Sequence, residues 1–375
     1  MRWDIFCHVI DNYGDVGVCW RLAQQLADEF GIVVRLLVDN LNALQKICPA
    51  INRNLATQSI QGIQVLHWVK PFPELVPADV VIEAFGCELP ANYVAAMAVD
   101  TKEKRGKRWI NLEYLSAEAW VAGCHKLPSP HPYLPLTKYF FFPGFTEATG
   151  GLIREADLLT QRDIQQADRT KSWRELGISE SVTDETVVSL FCYHHAPIRH
   201  LLEAWAASAS PVRCLLPHGV ATEQIAKWTE KSSLAAGESA QRGNLTIQII
   251  PFLSQKNYDR LLWTCDCNFV RGEDSFVRAQ WAARPFIWQI YPQQENAHYP
   301  KLEAFLDLYS RGLVKDAAHA LRLLHQGWNN NAQQLDWDSY WAHCKVLQQH
   351  AAVWVEQLAQ MPDLASSLVF FCTEQ

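Results

Sequence analysis

The sequence predicts an α/β protein of two doubly wound lobes facing a cleft. Three observations carry that prediction. Short apolar runs alternate with amphipathic segments along the N-terminal part, and the same alternation restarts near Thr186. A chain of 375 residues also exceeds one ordinary domain and suits two, each able to bury a core.

In the first series Asp4–Ile10 reads as a strand, Gly17–Phe30 as a helix and Val33–Val38 as a second strand. Strands over Gln64–Val69, Asp79–Ala84 and Trp109–Leu112 follow. Such βαβ alternation gives a parallel sheet covered on both faces, with ligands beyond the carboxyl ends of the strands. From about Gly150 to Asp184 the chain turns polar and helix-forming, which marks a connection. The second series begins with TVVSLFCY at Thr186 and continues through Val212–Leu216, Thr246–Ile250, Asn268–Arg271 and Phe286–Ile290. The C-terminal stretch, with Trp328, Trp337, Trp341 and Trp354, lacks strand signals and should be helical. The expected organisation is a lobe over 1–150, a connection over 151–183, a lobe over 184–350 and a helical tail over 351–375 with room to pack back on the first lobe.

Composition narrows the function. The chain is 49% apolar and 19% charged, as a globular protein is, and no apolar run reaches the roughly 18 residues of a membrane span. The N-terminal apolar run is short and broken by Asp4, so no secretory signal is read and a cytoplasmic protein is expected. Eleven cysteines without a C-x-x-C pair read as reduced thiols, and the closest two, Cys265 and Cys267, fall in one predicted strand. A net charge of −7 with no basic stripe argues against a nucleic-acid partner, and nothing suggests a membrane one. His194 and His195 are adjacent but have no third ligand at a recognisable spacing, so no metal is expected.

Two motifs carry chemistry. In HVIDNYGDVGVCWRLAQQLADEFG a glycine turn joins a strand to a helix, an arrangement that usually holds phosphate. Here the turn carries Asp11 and Asp15, which repel an anion and suit a cation. Turn formation and capping explain one aspartate well and two less well. In FVRGEDSFVRAQWAARPFIWQIYPQQENAH a strand leads into Arg271, Gly272, Glu273, Asp274 and Ser275, where a helix begins. A second strand then delivers Pro292 and Asn296. The N–H groups at the helix start can hold a diphosphate, with Ser275 adding a hydroxyl and Arg271 a charge, while Glu273 and Asp274 point acceptors at sugar hydroxyls. Capping alone explains the two acids but not Arg271. This arrangement resembles the nucleotide-sugar site in the C-terminal lobe of GT-B glycosyltransferases. Phe191 and Tyr193 end one strand and Phe252 follows another, so rings from two strand ends can sandwich a base; core packing is the rival reading for any single Phe. Tyr193, Gln255 and Tyr291 can add hydrogen bonds, and Trp20 and Trp288 lie near these segments.

The segments WDIFCHVIDNYGDVGVCWRLAQQL, INLEYLSAE, LPSP, KYFFFPGF, GGLIRE, IPFLSQKNYDRLL and RGEDSFVRAQWAARPFIWQIYPQQENAH are similar throughout to the EarP family, protein-arginine rhamnosyltransferases that modify translation elongation factor P. The resemblance implies a GT-B fold, dTDP-β-L-rhamnose as donor, an arginine on the N-terminal domain of elongation factor P as acceptor, inversion at the anomeric carbon, and no metal or cofactor. By motif it implies Asp15 as general base and Asp11 as a supporting carboxylate; Glu273 is the next candidate for the base should Asp15 not serve. Asp11, Asp15 and Glu113 would meet the acceptor in the N-terminal lobe. Tyr13, Gly14, Asp15 and Val16 would meet the donor, with Phe191, Tyr193, Phe252, Gln255, Arg271, Gly272, Glu273, Asp274, Ser275 and Tyr291 from the C-terminal lobe. A binding module without transfer, or a transferase for another acceptor, are the alternatives.

Overall fold

In a computed structural model, residues 1–99, 107–179, 184–219 and 221–373 are described. The last residues of the expected connection, 180–183, and of the expected tail, 374–375, lie outside them. The chain divides into two units, Met1–Ala156 with Leu358–Gln375, and Asp157–Gln357.

The first unit is built on strands β1 (Arg2–Cys7), β2 (Val33–Val38), β3 (Thr57–Ile60), β4 (Ile63–His67), β5 (Val80–Ala84), β6 (Arg108–Leu112), β7 (Pro128–Pro130) and β8 (Thr137–Phe141). They form one eight-stranded sheet in the order β3-β4-β2-β1-β5-β6-β8-β7. The central strands run parallel, with Ile5 opposite Leu36 and Ile82. All five residues of β5 are buried, as a strand covered on both faces requires. β3 and β7 pair antiparallel at the two edges and escaped the sequence reading, because TQSI and PSP are polar, short and largely exposed.

Expected boundaries shift for identifiable reasons. The strand expected to reach Ile10 ends at Cys7, since the N–H groups of Val9 and Ile10 turn to the carboxylates of Asp39 and Asp15 instead of a neighbouring strand. The first helix begins at Gly14, not Gly17, and closes at Gly31, whose φ of +63° suits glycine. Cys265 caps the helix Gln255–Thr264 and is not in a strand with Cys267.

A buried polar cluster ties this sheet together. Asp4 is fully buried in β1 and takes Arg35 Nε of β2 at 2.6 Å on one oxygen; Arg35 Nη2, Tyr93 Oη and the Ala78 N–H reach the other. The C-terminal helix Leu364–Thr373 also belongs to this unit, where Phe371 packs edge-on against Tyr139 at 5.3 Å. Gly151 makes its approach possible, because a Cβ there would lie 2.2 Å from the Pro362 carbonyl oxygen.

The second unit has β9 (Thr186–Leu190), β10 (Val212–Pro217), β11 (Ser239–Arg242), β12 (Leu245–Ile250), β13 (Cys267–Arg271) and β14 (Phe286–Gln289). The order is β11-β12-β10-β9-β13-β14, parallel except for the polar edge strand β11. Most of its tryptophans are core: Trp205 and Trp328 are fully buried and meet the Phe269 ring edge-on at 5.4 and 5.2 Å. Among the described residues no helix is long and apolar enough to cross a membrane.

Replacing Asp4 with Ala should lower unfolding free energy by about 3–5 kcal/mol, because Arg35 is left buried without its partner. Denaturant titration checks it; a loss below about 1 kcal/mol would mean that the cluster contributes little.

Candidate active site

Each sheet reverses its winding once, and most of the candidate residues, though not Phe252, lie at the strand ends around those two places. In the first unit the chain goes from β1 to β2 on one side and later returns to β5 on the other, opening a crevice beyond the carboxyl ends of β1 and β5. In the second the corresponding crevice lies beyond β9 and β13.

Asp11, Tyr13, Gly14, Asp15 and Val16 occupy the turn after β1 and the start of the helix Gly14–Phe30. Asn12 takes φ +35° and the Gly14 N–H closes onto the Asp11 carbonyl at 2.6 Å. Asp15 lies within the first helical turn, not in the loop. Its Oδ2 accepts the N–H groups of Ile10 at 2.7 Å and Asp11 at 2.8 Å. Its Oδ1 stands 3.4 Å from the Tyr114 hydroxyl, at the long end of hydrogen bonding. Asp15 is 3% exposed and Asp11 7%. Burial raises the Asp15 carboxyl above the ordinary aspartate value; the backbone bonds, Tyr114 and His8 pull against that without cancelling it. Val16 points into the core, so only its backbone can face a ligand. Glu113 follows β6, half-buried, with one oxygen taken by the Asn111 amide at 2.5 Å.

Sequence reading named Glu113 but missed its neighbour Tyr114, and it missed Phe85 after β5. Phe85 stacks on Tyr114 at 4.6 Å with 16° between ring planes. An aromatic before glycine at a strand end, Ala84-Phe85-Gly86, is the only signal that could have marked it.

In the second unit Arg271 ends β13 and is 5% exposed. Its guanidinium carbon sits 4.5 Å from the centroids of both Phe191 and Tyr193, so these two rings hold the cation. Tyr193 also stacks on His195 and meets the Tyr291 ring edge-on at 5.7 Å, and its N–H donates to Gln289 Oε1 at 2.8 Å. Gly272 takes φ +60°, its N–H bonds the Gln289 carbonyl at 3.1 Å, and its carbonyl accepts Trp288 Nε1 at 2.7 Å. Trp288 in turn stacks on Phe276 at 3.9 Å, so this tryptophan braces the turn from within the core. The Ser275 hydroxyl donates to the Arg271 carbonyl and accepts the Arg271 N–H at 3.0 Å. Its one proton therefore fastens the turn instead of reaching outward as expected.

Glu273 sits at the cap position without a side-chain capping bond, and Asp274 accepts the Gln255 amide at 3.0 Å, linking the starts of two helices. Phe252 is half-buried after β12, two strands away from β9. His194 and His195 are exposed, and among the described residues no group of three His, Cys, Asp or Glu side chains could hold a metal.

The family model described as "Elongation-Factor P (EF-P) rhamnosyltransferase EarP" matches residues 3–373. A protein-arginine rhamnosyltransferase of Pseudomonas putida is 48% identical over 373 residues, 98% of each chain. A solved structure concerned with EarP-mediated arginine glycosylation of translation elongation factor EF-P superposes with a TM-score of 0.70 at 36% identity, covering 100% of this chain and 99% of that one. MurG of Acinetobacter baumannii, 13% identical with a TM-score of 0.51 and 100% and 99% of the two chains covered, shares the fold. The architecture is that of GT-B glycosyltransferases, as the sequence predicts.

A Cβ on Gly14 would stand 2.6 Å from Asp11 Oδ2, while the Gly14 backbone is ordinary helix. Gly14→Ala should therefore leave the unfolding temperature unchanged or raise it, yet displace the Asp11 carboxylate and lower turnover about tenfold or more. Full turnover in a folded variant would show that the position of Asp11 is immaterial.

Proposed function

The chain belongs to the EarP family, and on that premise we propose that it moves L-rhamnose from dTDP-β-L-rhamnose to an arginine on the N-terminal domain of translation elongation factor P. Transfer proceeds with inversion, in the cytoplasm, without metal or cofactor. One observation carries the reading: a buried aspartate has one oxygen pinned by backbone N–H groups and the other turned toward a tyrosine hydroxyl at the winding reversal of the first sheet.

An arginine side chain is protonated at any ordinary pH and its lone pairs are delocalised, so it is a poor nucleophile. No carboxylate with a pKa near ~4 deprotonates it in the ground state. As a guanidine nitrogen bonds to the anomeric carbon, its N–H becomes acidic, and Asp15 Oδ1 takes that proton while the carbon–oxygen bond to dTDP breaks. The electron pair leaves with dTDP, and the glycosylated side chain remains a guanidinium. Asp11 and Glu113 pair with the other nitrogens and aim the attacking one.

The second unit holds the donor. Arg271 faces the diphosphate and stabilises the charge that grows on it, with Phe191 and Tyr193 fixing the guanidinium and Ser275 fixing the turn beneath it. Phe252, Gln255 and Tyr291 meet the base and phosphates; Glu273 and Asp274 meet sugar hydroxyls. Tyr13, Gly14 and the Val16 backbone bear on the sugar.

The deciding experiment incubates the protein with dTDP-rhamnose and elongation factor P and reads a deoxyhexose mass increment on one arginine. No increment under conditions where dTDP-rhamnose binds would remove this acceptor.

Asp15→Asn should lower transfer by about 10²–10⁴-fold at any acceptor concentration, with donor binding intact by calorimetry. Asp11→Asn should recover in part at high acceptor concentration. The wild-type rate should fall as acid protonates Asp15, with its midpoint above the ordinary aspartate value because burial raises that carboxyl. A rate limb at or below about 3.9 would place the base elsewhere. Arg271→Lys keeps the charge but loses the planar fit against two rings, so dTDP binding should weaken by about 1–2 kcal/mol. Unchanged affinity would mean that charge alone matters there.

A further inference from the structure

Phe85 is the first residue beyond β5, at the winding reversal of the first sheet. Its φ is +57°, and Gly86 follows at +64°. A bulky aromatic side chain in the left-handed region is an outlier that persists only where the surroundings hold it. Two contacts hold this one. Its N–H donates to the Leu112 carbonyl at 2.7 Å, carrying the β5–β6 ladder one residue past the strand, and its ring lies flat on Tyr114. Glycine would take the same backbone without strain, so the ring is what the position gains from carrying phenylalanine. Tyr114, the residue so stacked, is the one whose hydroxyl reaches Asp15 Oδ1.

We propose that Phe85 is a positioning residue for the transfer: its left-handed backbone delivers a ring that fixes Tyr114, and Tyr114 in turn fixes the orientation of the Asp15 oxygen that takes the proton. The inference rests on the reading of Asp15 as proton acceptor. The electrostatics agree with the geometry. The Tyr114 hydroxyl is one of the groups opposing the effect of burial on Asp15. Among the described residues, Cys7 of β1 and His8 just beyond it also act on that carboxylate, and Asp11 of the turn meets it through its N–H. His8 acts in the same direction as Tyr114, whereas Cys7, pushed up by its hydrogen bond to Cys19 and by burial, stays a neutral thiol.

Carboxyl ¹³C titration of Asp15 in the full chain, paired with rate–pH profiles, tests this. Tyr114→Phe keeps the stack and deletes the hydroxyl; Phe85→Gly keeps the backbone and deletes the stack; Phe85→Tyr keeps a ring. The first two should raise the Asp15 midpoint by about half a pH unit or more and move the acid limb of transfer with it. Phe85→Tyr should hold the midpoint where it is in the wild type. Thermal unfolding of Phe85→Gly confirms that the variant is folded, and strain relief works in its favour. A folded Phe85→Gly protein that titrates as the wild type, with or without a shift in Tyr114→Phe, overturns the proposal. That outcome is distinct from failure of the base assignment, which shows as continued transfer by Asp15→Asn.

Discussion

Two hydrogen bonds, from the N–H groups of Ile10 and Asp11 to Asp15 Oδ2, decide how the first unit presents its chemistry. A carboxylate buried to 3% exposure is costly to keep charged unless donors meet it. The donors here are made available because the chain leaves its sheet at Cys7 and turns its amides inward. The same bonds close the turn, start the helix at Gly14 and leave Oδ1 as the oxygen that faces Tyr114. Folding of the turn and orientation of the Asp15 carboxylate therefore share one set of interactions. Gly14 is part of that set, since the Asp11 carboxylate occupies the space a side chain there would take.

The second unit solves the opposite electrostatic problem on the same topology. There the buried charge is a cation, and aromatic faces hold it. Phe191 and Tyr193 flank Arg271, Gln289 fixes the Tyr193 amide, and Trp288 braces the Gly272 carbonyl. One reversal point presents carboxylates and the other a guanidinium. On the proposed function, these opposite charges would help to sort a cationic acceptor from an anionic diphosphate donor.

The central strands were legible because parallel strands buried on both faces leave near-continuous apolar runs; Val33–Val38, broken only by Arg35, is found as read. The edge strands β3, β7 and β11 were not, since their pairing comes from a neighbour and TQSI, PSP and SAQR show no pattern of their own. Asp11, Asp15 and Arg271 stood out as charges in glycine turns after apolar strands. The roles of Ser275 and Phe191 were harder to see. Ser275 looks like a phosphate ligand in sequence, yet its proton is committed to the Arg271 carbonyl, and whether a Phe ring faces a base or a guanidinium depends on the strand beside it. Phe85 left only the aromatic before Gly86 as a trace, because a left-handed φ on phenylalanine contradicts local preference and is imposed by the Leu112 carbonyl and the Tyr114 ring.

The balance of forces on Asp15 suits the role of base proposed for it toward an arginine side chain. Burial raises the carboxyl, while backbone donors, a tyrosine and a histidine restrain it. A base tuned far upward would be stronger but protonated at neutral pH, and so absent when needed. One left fully solvated would be ionised but weak, and it would wander. In the proposed mechanism the acceptor sets the requirement: a guanidinium gives up its proton only as the new bond forms, so the base would not have to win a proton from free arginine. It has to be charged, dry and already in place when that N–H turns acidic. Burial that raises the carboxyl, with one oxygen spent on backbone donors, fits all three conditions of the proposed role, and the second oxygen is left for the proton.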